Sequence, residues 1–141
     1  MICWHYTIGR YVPLIAESGV LELAAGGVHP PEKPILWFSS NPFWEVTASK
    51  WNGKGRVYTM EEMAQAVGVV RFGISCERLI RWPEVGKRAN MNFEIRKRLM
   101  KWGRSQGANP SEWYGSLTPI PLQELIFQIL RDNQWIDPEG E

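Results

Sequence analysis

The chain has few of the residues from which disulfide frameworks and metal sites are built. Its 141 residues include two cysteines, Cys3 and Cys76, and two histidines, His5 and His29. Two cysteines are too few for a disulfide framework, and their spacing is not that of metal ligands. With two histidines, a zinc site is not expected either. We therefore expect no bound metal, and we expect both thiols to be reduced in a cytoplasmic protein.

Long apolar runs and the common catalytic motifs are also missing. No segment approaches the roughly 20 apolar residues that span a bilayer, and residues 1–4 have no basic stretch followed by a long apolar run, so no signal peptide is predicted. The sequence contains no GxGxxG, GxxxxGK[ST], HExxH or GxSxG. A Ser/His hydrolase built on His5 or His29 has no recognisable nucleophile setting.

Tryptophan is abundant, with eight residues in a chain that is 44% hydrophobic and 22% charged. The two fractions are ordinary for a soluble globular protein, and the length predicts one domain over residues 1–141. Large aromatic side chains build cores, but they also line pockets that hold flat rings. The tryptophans are therefore candidates for both roles.

Charge is unevenly placed although the net charge is +1. Residues 71–104 hold ten Lys/Arg against three Glu, whereas residues 112–141 hold six acids against Arg131. A basic middle can attract phosphates or nucleic acid, and it can equally be a solvated helix face. Both interpretations stay open.

The order of predicted elements favours the α+β class, because strands and short helices follow one another without regular βαβ alternation. Predicted strands cover 2–7, 34–40, 66–75 and 113–117, and predicted helices cover 9–18, 60–65, 77–82 and 90–102, the last ended by Gly103. Residues 122–130 can form a helix or a strand that pairs with 134–136 through Asp132-Asn133, and the two-residue turn favours the strand. A turn at 52–55 and a short strand at 56–60 are further predictions. The strand at 34–40 is apolar on both faces and should be central in its sheet.

Three short stretches that contain polar residues lie in or beside predicted strands. The run His5-Tyr6-Thr7 ends the first strand, Trp37-Phe38-Ser39 lies in the central one, and Glu112 precedes a late one. With their surroundings, these stretches resemble the ADP-ribosyltransferase superfamily, in the branch of DNA-targeting ADP-ribosyltransferase toxins and RNA 2′-phosphotransferases. The resemblance covers almost the whole chain. It implies a split β-sheet core with short flanking helices.

The sequence stretches that carry this resemblance are short. The first run, followed by Leu14-Ile15 and Ser18-Gly19, is similar to an opening His-x-Thr, helix and glycine. Residues 34–41 stand where the family has its second motif. Residues 111–122 resemble the final acidic motif, in which a Glu opens a strand that ends at prolines, and the loop before Glu112 corresponds to the loop that faces the acceptor.

The chemistry of NAD suggests roles for these residues. Attack at the nicotinamide-ribose carbon passes through an oxocarbenium-like centre, so catalysis depends on positioning and electrostatics. A carboxylate near that ribose stabilises the charge, and Glu112 is the candidate, supported by a hydrogen bond from Ser39. A neutral imidazole, that of His5, can hold the other ribose. Arg71 or Arg10 would meet the pyrophosphate.

The nicotinamide itself needs an amide partner and a ring contact. Thr7 and its backbone are candidates to orient the amide, and Tyr6, Trp37 or Phe38 to pack on the ring. These aromatic residues are also natural core residues.

Two other acids, Glu45 and Glu124, compete with Glu112 for the catalytic role. Glu45 can face the same cleft, whereas Glu124 lies in an apolar run and is expected at its rim. Pro110 stands two residues before Glu112, where the family members that modify arginine have Glu or Gln. Modification of protein arginines is therefore not expected.

The sequence thus predicts an NAD-dependent mono-ADP-ribosyltransferase that modifies a macromolecule. The basic helix predicted at 90–102 makes a nucleic acid, or a protein bound to one, the expected acceptor. Two alternatives stay open: phosphate removal from RNA by the same fold, and a non-catalytic module that binds nucleic acid or protein through its basic face and tryptophans.

Overall fold

The computed structural model describes residues 1–24, 26–50 and 57–138. The strands are β1 (Ile2–Ile8), β2 (Val20–Leu21), β3 (Leu36–Ser39), β4 (Val69–Ser75), β5 (Ile80–Arg81), β6 (Trp113–Ser116), β7 (Ile120–Pro121), β8 (Ile126–Arg131) and β9 (Gln134–Ile136). The helices are α1 (Val12–Ser18), α2 (Met60–Val67), α3 (Glu84–Arg88) and α4 (Phe93–Ser105). The turn predicted at 52–55 lies outside the described residues.

The described strands form two antiparallel sheets. Seven of them lie in the order β5-β6-β3-β1-β4-β8-β9, and β2 pairs with β7. The α+β class is confirmed by this arrangement, and so is the central place of β3, which lies between β6 and β1. None of the described helices is long and apolar enough to cross a membrane.

Strand β1 has two unequal neighbours. It is in register with β4 over its whole length, from Ile2↔Ser75 to Ile8↔Val69. With β3 it shares, in the described residues, one registered pair, Trp4↔Ser39. The two strands therefore separate beyond this pair, and β1 is firmly held on one side and open on the other.

A disulfide joins Cys3 in β1 to Cys76, which directly follows β4. The expectation of two reduced thiols is wrong for this structure. Two cysteines in distant parts of the sequence carry no signal of pairing, but the register of β1 and β4 brings their Cα atoms to 5.3 Å, within the range that a disulfide spans.

Alternation along β1 sends successive side chains to two separate apolar clusters. Cys3 packs with Phe38 and Phe72 on one face, whereas Trp4 and Tyr6 belong to the cluster on the other face. A third cluster lies under β3 and β6 and includes the buried tryptophans Trp82 and Trp113. Most of the chain's aromatic residues are thus committed to packing around the sheet.

Local signals placed several boundaries well. Gly19 ends α1 in the left-handed conformation, with φ 75°, and Thr59 opens α2 through a capping box with Glu62. The turn Asp132-Asn133 has two positive φ values, 52° and 61°, as a two-residue hairpin requires. The predicted pairing of the last two strands is therefore confirmed.

Other predicted boundaries are wrong for reasons of tertiary structure. The helix predicted at 77–82 is a 3-10 turn at Cys76–Arg78 followed by β5, because Ile80 pairs with Gly115 of β6. Gly103 does not end α4 but lies inside it. A Cβ atom there would come within 2.5 Å of the Trp113 ring, so the helix needs a glycine at this contact. The strand predicted at 66–75 is shorter, because residues 66 and 67 belong to α2.

Candidate active site

A cavity of about 440 Å³ opens where β1 and β3 separate, a size within the range of small-molecule sites. Its walls come from β1, β3, the segment 44–50, the loop 26–34, α4 and the start of β6. The lining residues are Trp4, His5, Tyr6, Gly27, Val28, Glu32, Trp37, Phe38, Ser39, Glu45, Thr47, Ala48, Lys50, Met91, Leu99, Trp102 and Trp113.

His5 bridges β1 and β3 at the point of separation. Its Nδ1 lies 2.7 Å from the carbonyl oxygen of Trp37, and since a carbonyl only accepts, the Nδ1–H donates and Nε2 keeps its lone pair. Burial lowers the pKa of His5 below its ordinary 6.5, and the charge of Lys50 lowers it further, while the bond to Trp37 acts in the opposite direction. The imidazole is therefore neutral at pH 7 and can accept a hydrogen bond through Nε2.

Glu45 is the buried carboxylate of the cavity, with 8% of its surface exposed. Its Oε1 accepts a hydrogen bond of 3.0 Å from the hydroxyl of Ser39. Its Oε2 accepts from Thr47, through the hydroxyl at 2.6 Å and the backbone N–H at 3.3 Å, and from Nε1 of Trp113 at 3.4 Å. A buried charge needs such partners. The carboxylate forms no salt bridge with a described residue.

Ser39 connects the central strand to this carboxylate. It is 1% exposed, and its hydroxyl donates to Glu45 while accepting from the backbone N–H of Asn41 at 3.1 Å. Ser39 lies on the same face of the sheet as Trp4, its registered partner. The sequence predicted that Ser39 supports an acid, and the acid that it contacts is Glu45.

The aromatic residues predicted at the site line the cavity and also pack in the hydrophobic core. Trp37 is half-buried and packs on Trp82 and Trp113, with ring centroids 5.7 and 6.2 Å away. Phe38 is 3% exposed and its ring centroid lies 5.8 Å from that of His5. Trp37 therefore has the more accessible ring.

Tyr6 lines the cavity but its hydroxyl is engaged elsewhere. The hydroxyl donates to the carbonyl oxygen of Asn41 at 2.8 Å and accepts from Arg71 at 3.5 Å. Burial raises the pKa of Tyr6 to about 12, against the opposing effect of Arg71. Tyr6 is thus a neutral structural donor near the site.

Glu112 and Thr7 do not line the cavity. Glu112 lies in a 3-10 turn directly before β6, where its carbonyl oxygen accepts from Ser40 at 2.9 Å and its carboxylate from Nδ2 of Asn41 at 3.5 Å. It stands one residue from Trp113, which does line the cavity. Thr7 pairs with Val70 of β4, on the firmly held side of β1.

Arg71 does not line the cavity either, and its strand, β4, lies on the other side of β1 from β3. Its Nε and Nη2 donate to Oε1 of Gln128 at 2.9 and 2.6 Å, and its Nη1 donates to the carbonyl of Pro42 at 2.7 Å. Its guanidinium lies 3.7 Å from the ring centroid of Trp4 and 4.3 Å from that of Trp135, and burial lowers its pKa. These contacts occupy the side chain, which is a packing element in this structure.

Arg10, the other residue predicted to meet a pyrophosphate, is exposed at the start of the first helical segment. Its guanidinium lies 5.4 Å from the ring centroid of Tyr11. It does not line the cavity either.

Several cavity residues carried no assigned role in the sequence. Thr47 and Lys50 lie in the segment 44–50, and Trp102 lies on α4 with 48% of its surface exposed. A signal was present for Glu45, which follows Trp44 and lies two residues before Thr47, in the segment after the central strand. Its burial, however, depends on Trp113, 68 residues away.

Comparisons with protein-family models, with curated proteins and with solved structures gave no match for this chain.

Proposed function

We propose that the chain is an NAD-dependent mono-ADP-ribosyltransferase that transfers ADP-ribose to a macromolecular acceptor, on an ADP-ribosyltransferase-like split-sheet fold. The observation that carries the proposal is that a neutral imidazole and a buried carboxylate held by hydrogen bonds line the same aromatic-walled cavity. His5 supplies the first and Glu45 the second. The resemblance of the sequence to this superfamily supports the same reaction.

The reaction needs few groups from the protein. The bond between the nicotinamide nitrogen and C1′ of its ribose breaks, and its electron pair leaves with nicotinamide. The oxocarbenium-like ribosyl centre is attacked by the acceptor, which forms a bond to C1′ and loses a proton to a base. A fixed carboxylate beside C1′ stabilises the positive charge as it develops.

We assign the carboxylate role to Glu45, because it lies in the cavity and has fixed hydrogen-bond donors. Ser39, Thr47 and Trp113 hold both carboxylate oxygens, so little reorganisation is needed when charge develops. Nε2 of His5 accepts from a ribose hydroxyl, and Trp37 offers a ring face to nicotinamide. Glu112 is supported in this role by the resemblance alone.

The acceptor is proposed to be a nucleic acid or a protein that is bound to one. Helix α4 carries five basic residues and one acid, Glu94, and none of the five forms a salt bridge with a described residue. Trp102 of the same helix lines the cavity and is half-exposed. A basic face beside the cavity would bring phosphates close to the reacting centre. A non-catalytic binding module is the alternative that this face favours.

The compartment stays a prediction. The sequence predicts a cytoplasmic protein, whereas structural disulfides are typical of oxidising compartments and rare in the cytosol. Alkylation of the protein isolated from its native compartment, followed by mass spectrometry, measures whether Cys3 and Cys76 are bonded there.

The proposed function is tested by incubating the protein with NAD and measuring released nicotinamide, with and without single-stranded DNA or RNA. Release by the wild type, and loss of release in Glu45→Gln, are the expected results. Binding of oligonucleotides that weakens steeply with salt, without NAD binding by calorimetry, would instead establish the binding module.

A further inference from the structure

The cavity has an uneven distribution of charge that bears on how a dinucleotide would lie in it. Among its described lining residues, the acids are Glu32 and Glu45, and Lys50 is the one with a permanent positive charge. His5 is neutral for the reasons given above. The two arginines expected at the pyrophosphate, Arg71 and Arg10, do not line the cavity. Lys50 is thus the remaining described cation for an anionic ligand group.

The segment that carries Lys50 is held at both ends. Trp44 is buried and its Nε1 donates to the hydroxyl of Ser49 at 3.3 Å. The carbonyl oxygen of Lys50 accepts from the backbone N–H of Tyr58 at 2.7 Å. Between them, a 3-10 turn at Val46–Ala48 separates Glu45 from Lys50. Glu45 and Lys50 therefore lie on either side of one short turn, and both line the cavity.

This order of charges matches that of NAD. The nicotinamide ribosyl end is cationic, and the diphosphate begins a few bonds away, beyond the ribose 5′-carbon. Glu45 and Lys50 are five residues apart, on either side of the 3-10 turn, and both line the cavity in which the two ends of the nicotinamide nucleotide would lie. The charge of Lys50 also acts on His5, since it lowers the pKa of that imidazole. Lys50 is therefore near the ribose-binding group as well.

We infer that Lys50 binds the diphosphate of NAD in this cavity, in the place that sequence reasoning gave to Arg71 or Arg10. This assignment rests on the proposed function. It identifies Lys50 as the residue that gives the site its preference for a dinucleotide over a nicotinamide nucleoside. Lys50 is a positioning residue, because it contacts the diphosphate and not the bond that breaks.

The test compares NAD, nicotinamide mononucleotide and nicotinamide riboside as substrates, with nicotinamide release as the readout. Lys50→Ala is expected to lower kcat/KM for NAD about tenfold, mainly through KM, because a charge-assisted hydrogen bond is lost at an exposed site. The riboside has no phosphate, so its kcat/KM should not change. Lys50→Arg should recover most of the NAD value. Lys87→Ala on α3, another exposed lysine, should leave all three unchanged.

The outcomes separate the two proposals. Turnover of NAD that is unaffected by Lys50→Ala, or an equal loss for NAD and the riboside, would overturn the assignment of Lys50 and leave the proposed function standing. Failure of the wild type to release nicotinamide from any of the three compounds would overturn the proposed function, and the role of Lys50 with it.

Discussion

The two flanks of β1 differ in how they are built. On the side of β4 the strands are in register from Ile2 to Ile8, a disulfide closes the end of the pair, and Arg71 fills the space between aromatic rings. On the side of β3 the register ends at Trp4↔Ser39, and a cavity with a buried carboxylate follows. One strand thus belongs to a closed scaffold and to an open site.

The difference shows how the fold keeps a polar site in place. A buried carboxylate and an imidazole add little to stability by themselves, and they need a rigid support to hold their geometry. The continuous ladder between β1 and β4 supplies that support. Changes on the β4 flank should therefore affect mainly the free energy of unfolding, and changes on the β3 flank mainly NAD chemistry.

The largest effect on stability is expected from removing the disulfide. The double variant Cys3→Ala/Cys76→Ala opens a loop of 73 residues, and the chain-entropy relation gives a loss of about 4 kcal/mol in the free energy of unfolding. Denaturant titration measures this loss. Nicotinamide release per folded molecule should stay within about twofold of the wild type.

The oxidised and reduced wild-type protein provide the control for this comparison. If a reducing agent lowers the unfolding free energy as the double variant does, the bond is responsible. An unchanged denaturation midpoint in both cases would contradict a scaffold stabilised by this disulfide.

A smaller effect is expected from the helix caps, one on each flank. Thr59 accepts from the backbone N–H of Glu62 at the start of α2, and Asn92 from that of Ile95 at the start of α4. Replacing either cap by alanine should cost about 1 kcal/mol. Because α4 contributes Trp102 to the cavity, Asn92→Ala alone should also raise the KM for NAD. An equal change in the KM for NAD in both variants would contradict the distinction between a scaffold flank and a site flank.

The smallest effect is a pH dependence of stability from His5, whose bond to Trp37 partly offsets the effect of burial. The pKa of His5 is lower in the folded protein than in the unfolded chain, so below about pH 6.5 the unfolded chain binds the proton more readily. The contribution of neutral His5 is complete above that pH and is lost as pH falls toward the folded pKa.

Denaturant titrations from about pH 8 to about pH 5 measure this slope. His5→Gln should flatten it, since glutamine does not titrate. A slope of equal size in the variant would assign the pH dependence to other groups.

Much of the fold was predictable because local chemistry determines it. The apolar run of β3, the capping box at Thr59 and the positive φ values at Asp132-Asn133 follow from nearby residues. The misassigned elements depend on distant contacts. Ile80 lies in a strand because it pairs with Gly115 of β6. Gly103 lies inside a helix because the Trp113 ring packs closely against it.

The candidate site divides in the same way. His5, Trp37 and Ser39 were predictable as polar or aromatic residues on strands that were themselves predictable. The choice between Glu45 and Glu112 was not predictable, because both acids lie in loops next to a predicted strand. Only the packing of Trp113 and Thr47 around one carboxylate separates them.

The most direct test of the central claim compares Glu45→Gln with Glu112→Gln in the nicotinamide release assay. Glutamine at position 45 can present its amide oxygen to Thr47 and Trp113 and its amide nitrogen to the hydroxyl of Ser39, so the fold should be kept, as circular dichroism and thermal melting will show. If Glu45 is the catalytic carboxylate, kcat falls about a hundredfold or more in Glu45→Gln and stays within a few-fold of the wild type in Glu112→Gln. Undiminished release in folded Glu45→Gln, with loss in Glu112→Gln, would contradict this assignment.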